Sequence, residues 1–140
     1  MNDFLNELAA YMDTENASLI YTSDTGRNLV VGKLPDKPDN CVALLGLFGT
    51  TIDDAREIRT LQFPRFQALI RATTYDAASD LHQTVRTTLH ARYGVILPHW
   101  RILACHAEQE GGPIGQDDKG RYEFSINFIA EINDEDDPTP

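Results

Sequence analysis

The sequence predicts a single α+β domain, with a mixed, mostly antiparallel sheet of about five strands and two helices packed on one face. Residues 121–130 alternate between apolar and polar side chains, which is the period of a strand with one buried face. Two other segments carry apolar residues at helical spacing, and a chain of 140 residues has the usual length of one domain. We expect that domain over residues 1–133, followed by a flexible acidic tail over residues 134–140.

The first part of the chain predicts one helix and two strands joined by a rigid connector. Asp3 can cap a helix over residues 4–13, whose apolar side chains form one stripe. A strand is expected over residues 29–34, and the two prolines within residues 35–40 predict the rigid connector. Residues 41–48 are apolar on both faces, which is typical of a strand covered on both sides.

The middle of the chain predicts a long loop, a strand and the second helix. Residues 49–64 show no clean period and carry several charges, so we expect an exposed connection of a kind that is often functional. Alternation over residues 65–74 predicts the third strand. Asp76 is the expected cap of the second helix, and Gly94 is placed to end it.

The last part of the chain predicts two strands. Pro98 precedes an apolar segment over residues 99–106, and a glycine-rich loop at residues 111–113 leads to the strand at residues 121–130. Between them, residues 117–120 predict a tight turn in which glycine supplies the positive φ.

The number of helices indicates how the sheet is covered. A helix is about 10 Å across and neighbouring strands lie about 4.8 Å apart, so two helices cover about one face of a five-stranded sheet. The strand at residues 121–130 has a polar second face that water can meet. The strand at residues 41–48 has none, so its second face needs the loop at residues 49–64 or another subunit, which predicts homo-oligomerisation.

Charge and composition exclude several function classes. The formal net charge of −10 opposes a basic surface that grips nucleic-acid backbones. No apolar run is long enough to cross a bilayer and no secretory signal is visible, so we expect no membrane partner and assembly in the cytoplasm. Cys41 and Cys105 lie in apolar segments without CxxC spacing, which predicts buried thiols rather than a disulfide or metal pair.

No catalytic, cofactor or metal site is predicted. His82 and His90 are two helical turns apart, too far to share an ion, and strand parity places His99 and His106 on opposite faces. Parity likewise separates the thiol of Cys105 from the imidazole of His106, against a nucleophilic pair. The acidic cluster of the long loop is interleaved with arginines and lacks calcium-loop spacing, which favours a self-paired loop over a Mg²⁺ or Ca²⁺ site; its members are Asp53, Asp54 and Glu57.

Several blocks of the sequence resemble, in the same order, the minor capsid or tail-terminator (tail completion) proteins of long-tailed bacteriophages and prophages. The resemblance covers roughly residues 2–133. The blocks are NLVVGKLP at residues 28–35, PDNCVAL at 38–44, FPRFQALIR at 63–71, YDAA at 75–78, PIGQD at 113–117 and RYEFSINF at 121–128. The charged loop and the acidic tail depart from the family pattern.

The resemblance implies a structural virion protein that forms a ring, a hexamer, at the head-proximal end of the tail tube. It implies three partners: further copies of the chain, the tail tube protein and the head–tail connector protein, with DNA passing through the ring without specific binding. An acidic chain suits such a conduit, because like charge gives phosphates no binding surface.

The residues predicted to contact other subunits or the tube are charged and lie on strand and loop positions away from the core: Arg65, Arg71, Asp53, Asp54 and Glu57. Three alternatives stay open. These are a head-completion or neck protein of the same virion, a small acidic adaptor that binds a basic partner, and a small enzyme whose site gathers distant residues.

Overall fold

The structure, a computed structural model, describes residues 2–47, 50–51 and 61–134. It confirms an α+β fold built on one sheet. The two helices are α1, Asn2–Glu15, and α2, Tyr75–Leu89. The strands are β1 Leu29–Val31, β2 Cys41–Gly46, β3 Thr50–Thr51, β4 Gln62–Phe63, β5 Arg65–Ala72, β6 Arg92–Ile96, β7 Trp100–Ala107, β8 Gly112–Gln116 and β9 Tyr122–Asp134.

The sheet is organised around β9, the longest strand, which pairs with other strands along both edges. One edge pairs with β5 and then β4, and the other pairs with β8 and then β7. Beyond these, β2 pairs with β5, β6 with β7 and β3 with β4. β1 pairs with β2 in parallel, while the other described pairs are antiparallel. The sheet is therefore mixed as expected, but the expectation of about five strands was too small.

Both helices pack on one face of the sheet, as predicted. Phe4 of α1 meets the ring of Phe66 edge-on at 6.1 Å, and Phe66 stacks on Phe128 at 5.2 Å. On the same face, His82 of α2 lies 5.6 Å from Phe124. Large apolar side chains such as these contribute about 1.5–3 kcal/mol each when fully buried, so this layer is the main source of stability.

The predicted helix caps need correction. α1 begins at Asn2, so Asp3 lies inside the helix. α2 is capped by Thr74, whose side chain accepts a hydrogen bond from the backbone N–H of Ala77 at 3.1 Å, and Asp76 lies in the first turn. Thr74 has the extended backbone that an N-cap requires.

The C-terminal end of α2 also differs from the prediction. The helix ends at Leu89, His90 caps it, and Ala91 reverses the chain with φ of 58°. Gly94 lies inside β6 rather than ending the helix, so residues 92–96 form an additional strand of the sheet.

Two further parts of the sheet were predicted as loop. β8 forms from Gly-Pro-Ile-Gly-Gln, a segment without a strand period, because the N-terminal half of β9 offers a free edge for pairing. β3 and β4 lie within the predicted loop at residues 49–64.

The predicted turn between β8 and β9 is confirmed. The Asp117 side chain accepts hydrogen bonds from the backbone N–H of Lys119 and of Arg121, and Gly120 has φ of 78°.

Part of the second face of β2 is covered by the chain itself. Cys41 and Ala43 are fully buried, and Cys41 lies directly across from Arg71 of β5. The Arg71 side chain donates to carbonyls of residues 36, 38 and 39, which holds the connector over this end of the sheet. The chain's own connector therefore covers the start of this strand.

Candidate assembly surfaces

The buried Arg71 forms the centre of a charged cluster that fixes the connector. Its Nε donates to the carbonyl of Asp39 at 2.9 Å, and its Nη2 donates to those of Pro38 at 2.7 Å and Asp36 at 3.4 Å. The residue is only 3% exposed. A buried guanidinium is tolerated when its donors are satisfied, and here backbone oxygens do this.

Arg121 binds the same connector from the β8–β9 turn. Its Nη1 donates to the carbonyl of Asp36 at 2.6 Å and to Oδ1 of Asp39 at 3.0 Å, while its Nε donates to Oδ2 of Asp117 at 2.8 Å. Lys119 adds an ion pair to Asp36 at 2.6 Å. We call Arg71, Arg121, Lys119 and the carboxylates they hold the charged clasp.

The carboxylates of the clasp are paired with cations of the same chain. The hydrogen bond and charge of Lys119 lower the pKa of Asp36, and those of Lys37 and Arg121 lower the pKa of Asp39. Both carboxylates are therefore ionised at neutral pH and bonded to cations of the same chain. These ion pairs fix the connector to the sheet.

The residues predicted as contacts separate into three groups. Arg71 belongs to the charged clasp. Arg65 is exposed at the far end of β5, about 20 Å away for six strand residues, and its Nη2 pairs with Oε2 of Glu108 at 2.6 Å. Asp53, Asp54 and Glu57 lie outside the described residues. The structure thus does not bring the two arginines together, and their part in assembly stays a prediction.

The second face of the sheet has a small cavity away from the clasp. It has a volume of about 230 Å³ and is lined by Phe63, Ala104, His106, Ile129, Ala130 and Glu131. Two titratable side chains thus share an apolar hollow. Its described lining residues include no serine, cysteine, threonine or lysine, and so do not place a nucleophile beside a base.

The histidines have separate partners. His90 accepts a hydrogen bond on Nδ1 from the backbone N–H of Ala107 at 3.0 Å. The side chain of His82, a residue of α2, is buried. His99 lies in the turn before β7 and pairs with Glu7. A bulge in β7 invalidates the strand parity used for His99 and His106. Within the part of the chain that the structure describes, no group of three or more His, Cys, Asp or Glu residues is placed to hold a metal ion.

Both cysteines are free and buried, as predicted. Burial raises the pKa of Cys105 to about 12, and it also raises the pKa of Cys41. Because the thiolate is the reactive form, both sulfurs are unreactive at neutral pH. Cys105 faces the core across from Ala130 while His106 pairs with Ile129, so the two do not act together.

The sequence-based prediction missed the apolar side chains that the sheet exposes at its free edges. Tyr93 and Ile96 of β6 are 62% and 70% exposed, and Ile114 of β8 is 57% exposed. Among the described residues both are edge strands, since β6 pairs there with β7 alone and β8 with β9 alone. The sequence signal for these exposed side chains is the apolar residues next to Gly94 and Gly115. The first of these segments is predicted as the end of a helix and the second as a loop.

These features define a class of protein. It is a small α+β subunit whose two buried arginines are bonded within the chain and whose most exposed large apolar side chains lie on edge strands of the sheet. Such a surface is typical of a component that assembles with others. Neither described helix is long and apolar enough to cross a membrane.

The comparisons with known proteins agree with this class. The model of the family described as bacteriophage tail terminator protein matches residues 8–134. The chain therefore belongs to the bacteriophage tail terminator family, and membership places it in the tail of a virion as a structural protein.

A solved structure supports the fold. A chain of the structure described as "Virion of native gene transfer agent (GTA) particle" is similar with a TM-score of 0.64 and 12% identity, over 92% of this chain and 96% of that one. At this identity the likeness concerns the fold alone. No curated protein matches the sequence.

Proposed function

We propose that the chain forms a closed hexameric ring at the head-proximal end of the tail tube, where it stops tube polymerisation. The ring then presents a surface to the head–tail connector. The observation that carries this proposal is the family match over residues 8–134. The free edges on both sides of the sheet support it, because a subunit with unpaired edges on opposite sides can contact two neighbours at once.

The partners in this proposal are further copies of the chain, the tail tube protein and the connector protein, with no catalytic step. DNA passes through the ring. The net charge of −10 supports passage without binding, because the electrostatic contribution that dominates nonspecific DNA affinity is repulsive here.

The charged residues named from the sequence retain a place in the proposal as contacts with the tube or a neighbouring subunit. Arg65 is exposed with a single carboxylate partner, Glu108, and can exchange that partner at low cost, since exposed ion pairs contribute about 0–1 kcal/mol. Arg71 would act indirectly, through the connector it holds. Asp53, Asp54 and Glu57 would contribute from the long loop.

The test is assembly of tails with and without the protein. Tail tube protein polymerised alone should give tubes of uncontrolled length, and addition of this chain should cap one end and stop growth, as seen by electron microscopy. A head-completion or neck protein would leave tube length unchanged and instead block joining of finished tails to heads. Unchanged tube length would overturn the proposed termination.

A further inference from the structure

A groove beside β1 combines an apolar floor with a charged rim. It has a volume of about 510 Å³, and its lining includes Val30, Pro35 and Pro38 together with Arg27 and Lys37. The side chain of Lys37 is 70% exposed and pairs with Asp39 at 3.0 Å. It can exchange this partner at low cost, because exposed ion pairs contribute about 0–1 kcal/mol. Asp24 also lines the groove but is paired with Arg27 at 3.0 Å. We call this surface the β1 groove.

A second exposed segment lies at the opposite side of the same half of the sheet. It comprises residues 110–116, with Ile114 exposed at its crest and Glu110 at its start. No ion pair is described for Glu110 among residues 2–47, 50–51 and 61–134. We call this surface the β8 ridge.

The β8 ridge is held in place by α2 and β9. Arg86 of α2 donates to the carbonyl of Gln109 at 3.5 Å. Gly111 packs so closely that a Cβ there would lie 2.6 Å from the carbonyl oxygen of Ser125. The ridge therefore presents a preformed shape, which lowers the entropic cost of binding.

The two surfaces lie at opposite edges of one layer. The strand order there is β1, β2, β5, β9 and β8, so the edges are about 19 Å apart at about 4.8 Å per strand. Contact between two different patches of identical subunits is head to tail, and such contacts generate rings when the rotation closes.

The surfaces are complementary in polarity and in charge. The crest of the ridge is apolar, like the floor of the groove, and Glu110 is opposite in sign to Lys37 on the rim. Lys33, directly after β1, is exposed and adds a cation near the same edge. Complementary charge across an interface sets its register and suppresses wrong partners.

We propose that neighbouring subunits join by seating the β8 ridge of one copy in the β1 groove of the next. Ile114 contacts Val30 and Pro38 there, and Glu110 lies beside Lys37. The occupant of the groove is thus a second copy of this chain. The inference rests on the proposed function, because it specifies the contact by which the ring is built.

Cysteine cross-linking tests this contact. A chain carrying both Ile114→Cys and Val30→Cys should, under mild oxidation, give a ladder of covalent oligomers on a non-reducing gel. The native thiols do not interfere, because both are buried. The matched control pairs Val30→Cys with Ile96→Cys, a position more exposed than Ile114, and should give at least tenfold less product.

Exchanging the charges of Glu110 and Lys37 is a second test of the same contact. Glu110→Lys should raise the protein concentration needed for assembly at least tenfold, and adding Lys37→Glu to the same chain should restore assembly. Glu15→Lys, at an exposed position on α1, should leave assembly unchanged.

The outcomes separate this inference from the function it rests on. If the wild-type chain assembles but the ladder equals the control and the charge exchange does not rescue, the ridge-and-groove contact is wrong and the ring stands. If the wild-type chain forms no oligomer at any concentration, the proposed ring itself fails.

Discussion

The charged clasp and the β8 ridge lie in the same half of the sheet, and they use opposite chemistry. In the clasp, Arg71 and Arg121 are buried and bonded to the connector of their own chain. In the ridge, Ile114 is exposed although it is apolar. The difference teaches that these buried charges serve folding, while exposed apolar side chains at the sheet edges are the groups left for assembly.

The largest effect is expected when the clasp loses its central cation. Arg71→Met keeps the bulk but leaves the carbonyls of Pro38 and Asp39 without their charged donor, so the free energy of unfolding should fall by about 4 kcal/mol. Arg65→Met, on the same strand but exposed, should cost at most about 1 kcal/mol. Urea denaturation of both variants measures the difference. Equal losses would show that Arg71 is an ordinary surface residue.

The ridge should be most sensitive where it packs on β9. In Gly111→Ala the new Cβ would lie 2.6 Å from a backbone oxygen and 2.8 Å from Nε2 of His82, at φ of 78°, so we expect a loss of about 3 kcal/mol. Gly94→Ala is the control: its φ is 65° but nothing lies within 4 Å of the new atom, so only the backbone cost of about 1 kcal/mol applies. Thermal unfolding of both variants should reproduce this order. A Gly94 loss as large as that at Gly111 would contradict it.

The clasp should also give stability a dependence on acid pH. The folded-state pKa values of Asp36 and Asp39 lie below the ordinary value of 3.8, so their contribution is full above about pH 4 and is lost as pH falls through the folded values. The denaturant concentration at the unfolding midpoint should therefore decrease as the pH is lowered below about 4. This decrease should be less steep in Asp39→Asn than in the wild type. Matching slopes in both proteins would remove the assigned role of this carboxylate.

The smallest effect on stability is expected at the crest of the ridge. Ile114→Asp changes an exposed side chain, so the free energy of unfolding should change by less than about 0.5 kcal/mol. Assembly should nevertheless weaken, because the apolar contact is removed. Chemical denaturation together with light scattering separates the two properties. A large stability loss would place Ile114 in the fold rather than at an interface.

The elements that the sequence predicted best are those whose own pattern decides their structure. The strand at residues 121–130 has a strict two-residue period, and it became β9, the strand around which the sheet is organised. β6 and β8 form by pairing with other strands of the sheet. Their own sequences show no two-residue period, because glycine interrupts both segments. Those two edge strands, and with them the exposed apolar side chains, could not be predicted from local pattern.

The surroundings of Arg71 could not be predicted for a related reason. Arg71 occupies a strand position that alternates away from the helices, which made it a sensible surface residue. Its burial depends on a connector more than thirty residues earlier in the chain, and a single sequence does not reveal that contact. The prediction that charged side chains meet a partner therefore missed the intrachain bonds that satisfy Arg71.

The central claim is that this chain is one subunit of a closed ring. Native mass spectrometry of the purified wild-type protein, followed by electron microscopy of the assembled species, tests it most directly. We predict one dominant species of six copies, seen as a ring with a central hole. A monomer at every concentration, or open filaments without a closed form, would contradict the claim.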